Sequence, residues 1–162
     1  MEKISKYFGN KGVSFYILLA ASLCQVIGLI LYGATGVTMF TAKLSTAVIV
    51  FGILFIILAI AVTVSNELKA GGAIGKKAVG MGAYFVYLSG LLSWLFYVTG
   101  EVNYLTSIFV SIDGTSLTAS FVLTVLFSAL AWIGALVSAI IGRIERTDKV
   151  DSERAGEVAG ND

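Results

Sequence analysis

The sequence predicts an all-α polytopic membrane protein, with four transmembrane helices in an antiparallel up-down bundle and both termini cytoplasmic. Three observations lead there. Of the 162 residues, 57% are hydrophobic and only 13% charged, with a mean hydropathy of +0.93; a soluble domain carries roughly 25% charge. A compact core of this size could not hide so much apolar surface from water. The apolar residues gather in four runs free of Asp, Glu, Lys and Arg, and the bases cluster between and beyond those runs. Disorder is excluded, because it needs low hydrophobicity and high charge. A transmembrane barrel is excluded as well, because the apolar residues run on without alternating.

The four spans are expected at about 14–32, 44–64, 80–99 and 119–141, within a transmembrane domain of residues 1–144. Each has the roughly 20 residues that a helix rising about 1.5 Å per residue needs to cross the hydrocarbon layer. Lys3, Lys6 and Lys11 precede the first run. That run is longer than the h-region of a signal peptide, so a retained signal anchor is expected. Ten of the eleven bases fall before the first run, between the second and third, or after the fourth. Those are Lys3, Lys6, Lys11, Lys69, Lys76, Lys77, Arg143, Arg146, Lys149 and Arg154, against Lys43 alone on the other side. The positive-inside rule then puts both termini in the cytoplasm.

The connections are read as short. The segment 65–79, with its GGAIGKK, is expected to be a flexible basic loop near the inner leaflet. Its glycine and lysine spacing is one residue short of a P-loop, and Lys77 stands where a magnesium-binding Ser or Thr belongs. Asn66 is a candidate cap for the second helix. The outer loop 100–118 holds Ile108, Phe109, Val110 and Ile112, too few to cross a bilayer, and is expected to be a strand-like or interfacial piece on the bundle top. Asp113-Gly114 signals a turn, and Thr115 or Ser116 a cap for the fourth helix. The segment 145–162, of mixed charge, is expected to be disordered.

Small residues recur on one face of every run: Ser14, Ala21 and Gly28; Ser45, Gly52 and Ala59; Gly82, Ser89, Ser93 and Gly100. The fourth run is the fullest, with Ser120, Thr124, Ser128, Ala131, Ala135, Ser138, Ala139 and Gly142 in one sector. In lipid, helix association relies on such residues because they let backbones approach. The face formed by Gln25, Ser89, Ser93, Ser120, Thr124, Ser128 and Ser138 therefore reads as a packing seam. The alternative is one wall of a hydrophilic path, against which stand the interspersed Ala and Gly and the lack of charge. Tyr84, Phe85, Tyr87, Trp94, Phe96 and Tyr97 on the third run read as interfacial belts, with a quinone or lipid site as the alternative.

Chemistry is scarce. The chain has no His and one Cys, Cys24, so it can form neither an internal disulfide nor a Cys/His metal cluster. Nor do the runs hold an ionisable residue of the kind that marks ion pathways. Small multidrug exporters need a membrane-embedded glutamate in the first helix, which is absent, and secondary transporters favour broken helices, whereas this chain has no proline. In the outer loop, Glu101, Asn103, Phe109, Ile112 and Asp113 are candidate contact residues: Glu101, Asn103 and Asp113, with Thr115, as oxygen ligands for a cation or sugar, too few for calcium, and Phe109 with Ile112 as a docking patch for a partner subunit. No catalytic, cofactor or metal site is expected, and no nucleic-acid binding at a net charge of +1. The outer-loop stretch IFVSIDGTS is similar to four-span proteins of Gram-positive bacteria, a likeness that implies no activity. The expected role is a non-enzymatic accessory or scaffold subunit in a bacterial cytoplasmic membrane, bound to a membrane-protein partner or to copies of itself. The alternative is a channel or small-solute permeation component.

Overall fold

The computed structural model describes residues 12–35, 44–67, 72–110 and 117–159, and they are helical almost throughout. The helices are α1 (Val13–Thr35), α2 (Thr46–Glu67), α3 (Gly72–Gly100), α4 (Val102–Phe109) and α5 (Ala119–Ala159). Four of them contain a stretch long and apolar enough to cross a membrane: Val13–Ala34, Thr46–Ser65, Met81–Gly100 and Ala119–Glu145. A helix bonds its backbone within one segment, so it can lie in hydrocarbon without orphaned N–H and C=O groups. The molecule is thus an all-helical, multi-pass membrane protein.

Three boundaries differ from the sequence expectations. Helix α3 starts at Gly72, inside the segment expected to be a flexible loop. Helix α5 continues to Ala159, through most of the segment expected to be disordered. Both departures have one cause. Extending an existing helix adds a hydrogen bond per residue fixed and needs no new nucleus, so polar residues without proline can follow a stable span. The third difference is in the outer loop, where Val102–Phe109 form a short helix that takes in Ile108 and Phe109, two residues of the piece expected to be strand-like or interfacial. Its buried residues, Tyr104 and Ser107, are three apart, a helical spacing that a period-two reading misses. Asn66 falls in the last turn of α2, while Ile112, Asp113-Gly114, Thr115 and Ser116 lie outside the described residues.

The helix pairings follow from individual contacts. Between α1 and α5, the Ser138 hydroxyl donates to the Ser14 carbonyl at 2.7 Å. A side chain on Gly134 would meet Ala21, and one on Gly28 would meet the Ser128 Oγ at 2.8 Å. Between α2 and α3, Ser93 donates to the Val48 carbonyl at 2.9 Å, Gly90 lies against Phe55, and Gly82 lies against Val62. Trp94 of α3 faces Trp132 of α5, with ring centroids 6.0 Å apart. The central core holds Leu18, Ala21, Phe55, Ala59, Val62, Val86, Ala131 and Ala135. Glycine and alanine bring the backbones close, and Phe55 fills the space that remains. Outward faces carry Leu23, Ile30, Ile57, Ile60, Leu126 and Ile133, as lipid contact requires.

Candidate functional site

Polar side chains inside the bundle fall into three layers, and each layer shows where the sequence spends its few hydrogen-bonding groups.

The first layer closes the end where α1 and α3 finish. Tyr32, Tyr97 and Tyr104 are all buried there. Tyr32 meets Tyr97 edge-on at 5.2 Å, Tyr97 lies 5.7 Å from Phe121, and Phe121 meets Tyr104 at 5.3 Å. Edge contacts such as Tyr32–Tyr97 and Tyr104–Phe121 are each worth about 0.5–1.5 kcal/mol beyond area burial. The hydroxyls tie this cluster to the starts of other helices. The Ser45 N–H, just before α2, donates to Tyr32 Oη at 2.6 Å. The Thr118 N–H, just before α5, donates to Tyr104 Oη at 3.0 Å, and Tyr104 donates in turn to Thr118 Oγ1 at 3.2 Å. Two helix N-termini thereby gain partners for amides that no turn of their own can satisfy.

Glu101 belongs to this layer. It is the single residue between α3 and α4, with only 3% of its surface exposed. Its amide continues α3 by donating to the Tyr97 carbonyl at 3.2 Å, and its carbonyl starts α4 by accepting from Leu105 at 3.0 Å. The outer-loop reading grouped Glu101 with Asn103, Asp113 and Thr115 as oxygen ligands, the last two of which lie outside the described residues. The structure separates the described pair: Glu101 turns into the bundle end and Asn103 is exposed. Its place next to the last glycine of a span is the one signal that could have revealed this.

The second layer is central. Gln25, Ser89, Ser93, Thr124 and Ser128 are all buried, while Ser120 is half-buried. The Ser89 hydroxyl donates to the Val86 carbonyl, Ser93 to Val48 across the α3–α2 contact, and Thr124 to Ser120 on its own helix. These three hydroxyls are spent on backbone carbonyls, whereas that of Ser120 lies 3.5 Å from Thr118 Oγ1. Gln25 is different. It is 1% exposed, sits against Gly52, and its Oε1 has no hydrogen-bond partner. The indole Nε1 atoms of Trp94 and Trp132 are also buried and unbonded. The sequence reading gave Trp94 to an interfacial belt and passed over Trp132; the two rings meet between α3 and α5.

The third layer is at the opposite end, where α1 begins. Glu145 of α5 accepts from the Ser14 hydroxyl at 2.7 Å and from the Ser14 amide at 3.4 Å. A carboxylate here caps the first turn of α1 and meets the positive end of its dipole. Ser138, one of the candidate seam residues, holds the Ser14 carbonyl from the other side. Cys24 is a free thiol, half-buried in α1. Among the described residues no three His, Cys, Asp or Glu side chains gather as a metal centre would need. Comparison of the chain with protein-family models, curated proteins and solved structures returned no match.

Proposed function

We propose that the chain is a non-enzymatic accessory or scaffold subunit of a membrane complex. The observation that carries this reading is α5. It is one continuous 41-residue helix whose apolar stretch ends at Glu145, yet it runs on to Ala159. Those further fourteen residues, at about 1.5 Å each, make a rod of roughly 20 Å beyond the bundle. Glu145 anchors the base of the rod by capping α1. A rigid arm on a packed bundle suits holding a partner. On this reading, Val150→Pro in the full chain breaks the arm and leaves the spans intact. The expected result is an unchanged thermal midpoint with loss of stoichiometric co-purification in mild detergent. A partner retained at full stoichiometry would remove the arm from the interface.

The proposal includes an up-down antiparallel order with both termini cytoplasmic. Support comes from the pairing of α1's start with residues 138–145 of α5, of α1's end with the start of α2, and from the one-sided bases. Single cysteines placed at Lys3, Asn103 and Lys149 in a Cys24→Ser background test it with an impermeant maleimide on intact cells. Position 103 should label, while 3 and 149 should label only after lysis. Labelling of 149 on intact cells would invert the topology. The bacterial cytoplasmic membrane is the setting this order fits.

A second reading, a permeation component, draws on Gln25 Oε1. An unpartnered amide carbonyl in the central layer is what a water or small polar solute would bind. The hydroxyls already spent on carbonyls favour the first reading.

A further inference from the structure

The segment between the third and fourth spans has a partition of side chains that neither packing of the bundle nor a water-exposed loop explains. At about 100° per residue, α4 divides into three sectors. The buried Tyr104 and Ser107 face the bundle, together with Glu101 at the helix start and the half-buried Ile108. One flank carries Val102, Leu105 and Phe109; the other carries Asn103 and Thr106, both exposed. On the apolar flank, Phe109 is 85% exposed and Val102 49%. Val110, at the C-cap, is the one apolar side chain on the polar flank. A helix with one side on protein, one side apolar and one side polar fits a corner between a bundle, a bilayer and water.

Connectivity puts α4 at that corner. It begins two residues after Gly100, where one membrane-crossing stretch ends, and the Tyr104 hydroxyl holds Thr118 immediately before the next stretch begins at Ala119. The first turn of the helix is therefore tied to the level at which two spans leave the hydrocarbon, and the buried Ser107 keeps the next turn against the protein. At that level an apolar side chain has the acyl-headgroup boundary within reach, and an exposed phenyl ring gains by entering it.

We infer that α4 is an interfacial helix whose Val102–Leu105–Phe109 flank is seated in the lipid leaflet next to it. The occupant of this flank is lipid, so Phe109 serves as a membrane anchor and not as a docking residue for a partner protein. The inference does not depend on the scaffold reading, because it concerns a face on which that reading makes no demand.

The test uses the full chain, reconstituted in phosphatidylcholine–phosphatidylglycerol vesicles, with nitroxide labels at single cysteines in a Cys24→Ser background. Labels at Phe109→Cys and, as a second reporter on the same flank, Val102→Cys are compared with one at Asn103→Cys. Collision with oxygen, which concentrates in lipid, is measured against collision with a water-soluble nickel chelate. Positions 109 and 102 should favour oxygen, and 103 should favour the chelate. If 109 and 102 favour the chelate as 103 does, the flank faces water and the inference is overturned. It is equally overturned if 109 is shielded from both reagents, which marks a protein contact. Because the readout is depth in pure lipid, loss of a partner elsewhere on the molecule leaves it unmoved.

Discussion

Gly90→Val is expected to destabilise the bundle by about 2–3 kcal/mol, the upper part of the range for overpacking a close-packed interior. A Cβ at position 90 would lie 2.7 and 2.9 Å from two ring carbons of Phe55 and 3.0 Å from the Cβ of Trp132. Neither neighbour yields easily. Phe55 is fully buried in the core that also holds Val86, Ala59 and Ala131, and a close-packed interior resists displacement of its ring. The Trp132 Cβ is fixed to the α5 backbone. Valine is a somewhat better helix former than glycine, which offsets only a few tenths of a kcal/mol. Gly100→Val, in the same helix, is the control, because nothing lies within 4 Å of a side chain there. It should leave the unfolding midpoint within about 0.5 kcal/mol of the parent. Phe55→Leu creates a vacancy beside position 90, so the double variant Gly90→Val/Phe55→Leu should be more stable than the two single costs added together, by about 1 kcal/mol. Unfolding in mixed micelles, followed by circular dichroism, measures all four chains. Equal costs at 90 and 100, or strict additivity with Phe55→Leu, would mean that the α2–α3–α5 contact is not packed as described.

The same contact shows how far the sequence could be read. Four spans were legible because twenty apolar residues without a charge have few other places to be. The small residues were legible as a class, but their partners were not. Periodicity places Gly28 and Ser128 on inward faces; it does not say that one sits on the other. The short helix α4 was hidden because its inward residues, Glu101, Tyr104 and Ser107, are polar. A search for apolar periodicity sees Ile108, Phe109 and Val110 as a run and finds no helix in them. Glu101 illustrates the same limit from the electrostatic side. A charged residue just past a span reads as solvent-facing, whereas one residue of non-helical backbone turns it under the tyrosine cluster. The arm of α5 was missed because composition describes a segment by itself and takes no account of the stable helix that feeds it.

Gln25→Leu is expected to raise stability, by about 1 kcal/mol. The amide is 1% exposed and its Oε1 has no partner, so the folded bundle bears the cost of a desolvated acceptor. In water-soluble proteins such a group costs about 1–3 kcal/mol. Within a membrane the reference state is also dry and finds partners of its own, so differences nearer 0.6–1.7 kcal/mol are measured. Leucine nearly matches the volume and fits a helix better, and the neighbours at this level, Leu29 and the flat face of Gly52, are apolar. A gain in midpoint with unaltered solute flux in liposomes is therefore the result that belongs to a closed, packed bundle. The opposite pattern is equally specific. If Gln25 holds a water or solute on a path through the central layer, replacing it removes a favourable hydrogen bond, so the midpoint falls and flux falls with it. One substitution thus separates the two functional readings. They assign opposite signs to the same unpartnered oxygen: a cost of folding in a scaffold, and a binding contact in a conduit. The surrounding geometry decides which sign to expect. Ser89, Ser93 and Thr124 have already committed their protons to backbone carbonyls, so these three offer a solute at Gln25 no further donor. An acceptor whose neighbouring hydroxyls are already bonded is a poor waypoint, and its removal should strengthen the bundle.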